Sequence, residues 1–124
     1  MPQKIAILVE NIKTEAELND SETAKEIWEA LPIESRVNIW GDEIYFSVPV
    51  KIGAEDAKAI VTEGDLGYWP PGTAFCIFFG TTPMSSRNEI RPASPVNIFG
   101  KIVGDAKIFK KAISGAKIIV EKAE

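Results

Sequence analysis

RVNIWGDEIYFSVPV, Arg36 to Val50, decides how the chain folds. Gly41-Asp42 is a two-residue connection with glycine first, which suits a type II′ turn and joins two antiparallel strands whose paired residues sum to 83. Trp40 then faces Glu43. With a side-chain period of two, Ile44, Phe46, Val48 and Val50 share one face with Val37 and Ile39, and this apolar set points inward. The other face carries Arg36 opposite Ser47, Asn38 opposite Tyr45 and Trp40 opposite Glu43. Aromatic side chains and an arginine on a solvent face are better suited to binding than to core packing.

Outward from this hairpin, most of the chain is strand-like. Lys4–Val9 is a short apolar run of the kind buried on both sides. Ala59–Val61, Ala74–Phe79, Val96–Val103 and Ala116–Glu121 read as further strands. Two segments read as helices. In the first, Asn19 or Asp20 caps, Glu22 follows three residues after Asn19, Ala24, Ile27, Trp28 and Leu31 recur at helical spacing, and Pro32 ends it. In the second, Asp105 caps, Ile108, Phe109, Ala112 and Ile113 form the stripe, and Gly115 closes it. So many strands with two non-alternating helices predict an antiparallel sheet closed into a barrel or folded as a sandwich, with helices over the open ends.

Composition bounds the chemistry. The 124 residues, 45% hydrophobic and 26% charged, fit one domain spanning 1–124. There is no histidine and a single cysteine, Cys76, so Ser-His-Asp, Cys-His and Cys₂His₂ sites are excluded and no metal site is expected. Cys76 lies in the apolar run FCIFF and reads as a buried, inert thiol; one thiol is compatible with a reducing, cytoplasmic location. The net charge of −4 and pI near 5.0 argue against nucleic-acid or anionic-membrane partners. The nearest basic group is Lys101, Lys107, Lys110 and Lys111, of which the last three lie late in a predicted helix and read mainly as cations that complement its dipole. Asp42 and Glu43 are adjacent, but strand alternation sends them to different sides, which weakens a paired acid/base reading.

Two loops add candidate contacts. GDLGYWPPG, Gly64 to Gly72, contains a proline-stiffened turn, type II with Pro71-Gly72 at its centre; Tyr68 and Trp69 either plug the barrel end or form a binding platform. GTTPMSSRNEIRPASP, Gly80 to Pro95, lacks periodicity and is long enough to suspect function; Met84 is a candidate contact, and Arg87 and Arg91 are candidate anion contacts or solvated surface residues.

VNIFGKIVGDAKIFKKAISG, Val96 to Gly115, resembles the cyclophilin stretch in which a strand ending Phe-Gly-Lys-Val/Ile passes through a glycine turn into a helix; Phe99, Gly100, Lys101 and Ile102 match it. Phe75 and Ile77 resemble part of the cyclophilin Gln-Phe-Phe-Ile strand, with Ala74 in place of Gln. ESRVNIWGDEIYFSVPV, EGDLGYWPPG, FCIFFGTTPMS and PASPVNIFGKIVG resemble the small prokaryotic cyclophilin-like proteins of uncharacterised function. The resemblance implies a mainly β fold: a closed antiparallel eight-stranded barrel capped by two helices, with no cofactor.

In cyclophilins an arginine after Phe-His in an Ile-Phe-His-Arg strand contacts the proline amide. Aligning that strand on Ile44-Tyr45-Phe46-Ser47 puts Ser47 where the arginine belongs. A hydroxyl cannot supply a guanidinium's charge and forked donors. Arg36, placed opposite Ser47, is the one candidate to compensate, and these two are the only catalytic candidates. The reading is therefore a module that binds a small molecule or extended peptide on the outer barrel face through Arg36, Asn38, Trp40, Tyr45, Ser47, Trp69, Met84, Arg87 and Arg91, without efficient prolyl isomerisation. The alternatives are a weak or divergent isomerase, a relative of the cyclophilin-like domains of amide-hydrolysing, urea-degrading enzymes, or a homo-oligomeric interaction subunit, for example a homodimer.

Overall fold

The computed structural model describes residues 3–86 and 89–123. Nine strands form one antiparallel sheet: β1 (Lys4–Val9), β2 (Ile12–Leu18), β3 (Ile33–Arg36), β4 (Asn38–Ile39), β5 (Glu43–Ser47), β6 (Asp65–Trp69), β7 (Ala74–Phe78), β8 (Asn97–Val103) and β9 (Lys117–Lys122). Their order is β3-β9-β1-β2-β8-β6-β7-β5-β4. The edge strands β3 and β4 are halves of one run interrupted at Val37, and this run nearly closes the sheet into a barrel. Its first half pairs with β9 and its second with β5, while Val37 itself exchanges backbone hydrogen bonds with Ala116 and Gly115. Counted this way, the barrel has the expected eight strands.

The hairpin register agrees with the sequence: Asn38 pairs with Tyr45 and Ile39 with Ile44. Gly41 has φ +61° and Asp42 does not share that sign, as a type II′ turn requires. Val37, Ile44, Phe46, Val48 and Val50 are buried. Ile39 is not; at 37% exposed it sits on the last rung of an edge strand, where no neighbouring strand covers it. The regular strand also stops at Ser47 rather than Val50, because Val48 turns to donate its N–H to Thr73.

Besides β3, which begins three residues ahead of the Arg36 start read from the sequence, two strands run where the sequence reading placed none. β2, IKTEAEL, alternates buried and exposed residues between β1 and β8. β6 occupies most of the supposed 64–72 loop, sending Leu66 and Tyr68 into the barrel core and leaving Trp69 outside it. The turn after it is a short 3₁₀ helix, Pro70–Gly72, followed by Thr73 in the left-handed region, not a type II turn. In contrast, 59–61 forms no regular strand; it contributes the single bridge from Val61 to Ile90, with a second from Lys58 to Val96 just before it.

The barrel interior is organised around Phe75, which stacks on Phe46 (ring centroids 4.8 Å apart) and meets Phe99 edge-on at 4.9 Å. Helix α1 (Glu22–Ala30) adds Ala24 and Ile27 to this core beyond the Leu18 end of β2. Near the Ile12 end, Ala106 and Phe109 enter from the second helical segment. That segment, Ala106–Lys111, is 3₁₀ rather than α; Asp105 caps it as expected, but Ala112 ends it, and Ile113 is 65% exposed.

The cap of α1 differs from expectation as well. Ser21, not Asn19 or Asp20, is the N-cap, accepting from the Ala24 N–H, while Asn19 Oδ1 accepts from Ser21. A second acceptor comes from far along the chain. The Glu55 carboxylate receives the N–H groups of Glu22 and Thr23, both at 2.9 Å, and the Thr23 hydroxyl at 2.6 Å. Buried Asn97 then links Glu55, Thr23 and Gly53. These hydrogen bonds hold the Glu55 carboxyl below its ordinary value. Loss of this cap in Glu55→Ala is expected to cost about 1 kcal/mol at pH 7 in urea unfolding. A depressed native pKa stabilises above the unfolded value and stops doing so as pH falls through the native one, so the gap to wild type closes in acid. An unchanged urea midpoint at pH 7 would contradict this role.

Candidate functional site

The outer face of β5, β7, β6 and β8 is not left to solvent. Segments 58–61 and 90–96 cross it, joined to each other by the Lys58–Val96 and Val61–Ile90 bridges. Val61, Ile90 and Val96 pack there on Ala74, Cys76 and Phe78, with Tyr45, Trp69 and Ile98 at the margin, forming a second apolar cluster outside the barrel. Gly67 permits the close approach, since a Cβ there would lie 2.7 Å from Val96 Cγ2. The hairpin tip is fixed beside the cover: Asp42 donates to Thr81 O and accepts from Phe79 N–H, both at 2.9 Å. Further along the 80–95 loop, the Ser85 hydroxyl accepts from the N–H groups of Thr82 and Arg91, and the Thr82 hydroxyl donates to Arg91 O.

Between hairpin, sheet and cover lies a pocket of about 290 Å³ lined by Trp40, Glu43, Tyr45, Trp69, Cys76, Pro92, Ala93 and Val96. The register explains the convergence. Tyr45 pairs with Cys76, and Cys76 with Gly67, so one rung presents a phenol, a thiol and a glycine on which the covering Val96 sits. Trp40 closes the hairpin opposite Glu43 through reciprocal backbone hydrogen bonds. The Trp69 indole N–H donates to Ser94, and the ring packs so closely on Gly72 that a Cβ there would approach to 2.7 Å.

Glu43 is the unexpected member. Alternation places it on the outer face, as read, but the cover leaves it only 5% exposed, and its Oε1 is buried without a hydrogen-bond partner. Burial pushes its carboxyl up to about 7, opposed in part by the neighbouring Cys76 thiol. Burial likewise raises the Cys76 thiol well above its ordinary value, with Glu43 adding to the shift, so Cys76 stays a neutral thiol.

Of the candidate contacts, Trp40, Tyr45 and Trp69 come together here. Met84 and Arg91 line a smaller adjoining cleft that shares Pro92 and Ala93 with the pocket, and Arg91 is ion-paired with Glu89 at 2.8 Å. Asn38 and Ser47 are exposed on the outer surface outside the pocket lining, and Arg87 lies outside the described residues. Arg36 is a correction. The β4–β5 ladder ends at Asn38–Tyr45, and Arg36 instead pairs with Lys117 and donates to Gly115 O at 3.0 Å. It does not stand opposite Ser47, whose partner is Ala74. The candidate basic group is divided among carboxylates: Lys101 faces Asp65, Lys107 Glu63 and Lys110 Asp42. Among the described residues, no cluster of three or more His, Cys, Asp or Glu side chains is arranged to hold a metal.

A family model described as cyclophilin-like matches residues 3–121. The chain belongs to the cyclophilin-like family. The solution structure of a hypothetical protein, AF2241, from Archaeoglobus fulgidus is similar to this cyclophilin-like chain at a TM-score of 0.84 and 42% identity, covering 98% of this chain and 95% of that one. Among curated proteins, none matches. No helix of this cyclophilin-like chain, among the described residues, is long and apolar enough to cross a membrane.

Proposed function

We propose that this cyclophilin-like chain is a binding module that takes a small molecule, or one or two side chains of an extended peptide, in the pocket on its outer barrel face. One observation carries the reading: three aromatic side chains, Trp40, Tyr45 and Trp69, converge with a single carboxyl group on a preformed apolar hollow. A few polar groups in an apolar concavity are the general form of a ligand site, and about 290 Å³ lies just below the usual range, which suits a small ligand group. Family membership supports the architecture but does not assign the ligand.

Efficient prolyl isomerisation is not part of this reading. Twisting an X-Pro amide requires lowering a barrier of about 20 kcal/mol. Ser47 stands where the resemblance puts the arginine, and the compensating role considered for Arg36 loses its basis, because that side chain serves the β3–β9 edge. The expected result of a prolyl-peptide assay is a rate equal to the uncatalysed one. In a thermal-shift fragment screen, aromatic fragments raise the melting temperature of wild type and not of Trp40→Ala. Isomerisation accelerated tenfold or more, or no fragment stabilising wild type, would overturn the proposal.

A further inference from the structure

The pocket's polarity is asymmetric. Its walls are aromatic or aliphatic apart from the Cys76 thiol and the Tyr45 phenol, and its one carboxyl group, Glu43, has a buried Oε1 with no hydrogen-bond partner among the described residues. Glu43 pairs with Phe78 across the sheet, and the rest of the pocket lining is Tyr45 on its own strand, Cys76 from β7, Trp69 from β6, Trp40 across the hairpin, and Pro92, Ala93 and Val96 from the cover; among the described residues, none of these carries a positive charge. A buried carboxylate with no cation is costly, whereas aromatic faces around an acidic group are the chemistry that recognises organic cations.

Building on the binding reading above, we propose that the pocket receives an organic cation, a protonated amine, amidinium or guanidinium on a small apolar body, with Glu43 as counter-ion and Trp40, Tyr45 and Trp69 as its walls. The shared chemistry covers a free small molecule and a Lys or Arg side chain of an extended peptide. Binding such a cation requires Glu43 to be ionised, and the carboxyl near 7 couples affinity to pH. Affinity rises about tenfold from pH 6 to pH 8 as the ionised fraction of Glu43 rises, then levels off.

The test is calorimetric titration of the full chain with benzamidine, which stays cationic over this range, and with neutral, nearly isosteric benzamide. Benzamidine is expected to bind about tenfold more tightly at pH 8 than at pH 6, while benzamide shows no pH dependence and binds more weakly at pH 8. Glu43→Gln, with its fold checked by circular dichroism, loses the preference for the cation. The comparison of pH values in wild type needs no variant. Equal binding of the two probes at pH 8, absence of benzamidine binding, or a folded Glu43→Gln that keeps the preference would overturn the cation assignment. Equal binding would still leave a ligand pocket, so failure of this inference is separable from failure of the binding reading. Competition by an acetylated, amidated Ala-Arg-Ala peptide then sorts the source: tighter than benzamidine points to a peptide side chain, weaker to a free small molecule, and both support a cation site.

Discussion

Between pH 4.5 and pH 8, wild type is expected to lose about 3 kcal/mol more unfolding free energy than Glu43→Gln. The native carboxyl titrates near 7, whereas the unfolded one titrates at its ordinary value of 4.5. Within that window the native state keeps a proton that the unfolded state has released, so stability falls as pH rises and the full loss is present above the native pKa. Each pKa unit is worth about 1.4 kcal/mol, which sets the magnitude. The shift originates in burial of Glu43 in a pocket whose lining, among the described residues, holds no cation, and a neutral glutamine removes the titration while keeping the shape. Urea unfolding of both proteins across this range reads the effect. Parallel stability curves would mean that Glu43 is not held in a water-poor site.

The second large effect lies in the barrel interior. Phe75→Ala is expected to destabilise the fold by about 3–5 kcal/mol, the range for truncating a buried phenylalanine. Phe75 is fully buried between the stacked ring of Phe46 and the edge-on ring of Phe99, residues from three strands that are distant in sequence. Those rings are held by sheet register and cannot close the gap without moving β5 and β8. A loss below about 1 kcal/mol in urea unfolding would show that the three rings do not form the centre of the core.

How much of this was legible in the sequence depended on the range of the deciding interaction. The 36–50 hairpin was readable because Gly41-Asp42 sets its register locally, and Phe46 and Val48 follow from alternation. β2 carried an equally plain signal, Ile12, Ala16 and Leu18 at even spacing with lysine and glutamates between, and went unread because its polar residues dominate the composition. β6 was hidden by Gly67 and the following Pro70-Pro71-Gly72, which read as a loop; in the structure Gly67 marks a close approach of the covering segment, and Tyr68 and Trp69 divide between the barrel core and the pocket.

The site was legible in part for the same reason. Trp40, Tyr45 and Trp69 were identified from their placement on the outer face, but outer was equated with solvent-exposed. Whether that face is covered depends on bridges such as Lys58–Val96, between segments almost forty residues apart, which no local pattern encodes. Glu43 was therefore read as a surface residue, and Arg36 was carried along a ladder that in fact ends two residues earlier, where the strand bends at Val37 to pair with β9.

Three tryptophans make a direct test of the pocket's role possible. The indole N–H signals of Trp40 and Trp69 report from its walls, while Trp28 lies on α1 beneath the Lys122 ammonium, 4.8 Å from its ring, and serves as an internal reference. Titrating the ¹⁵N-labelled chain with aromatic amine and amide fragments is predicted to move the Trp40 and Trp69 indole signals in a saturable way and to leave Trp28 in place. Fragments that bind without moving either signal, or that leave all three unmoved throughout the series, would contradict the claim that this outer-face pocket is the binding site.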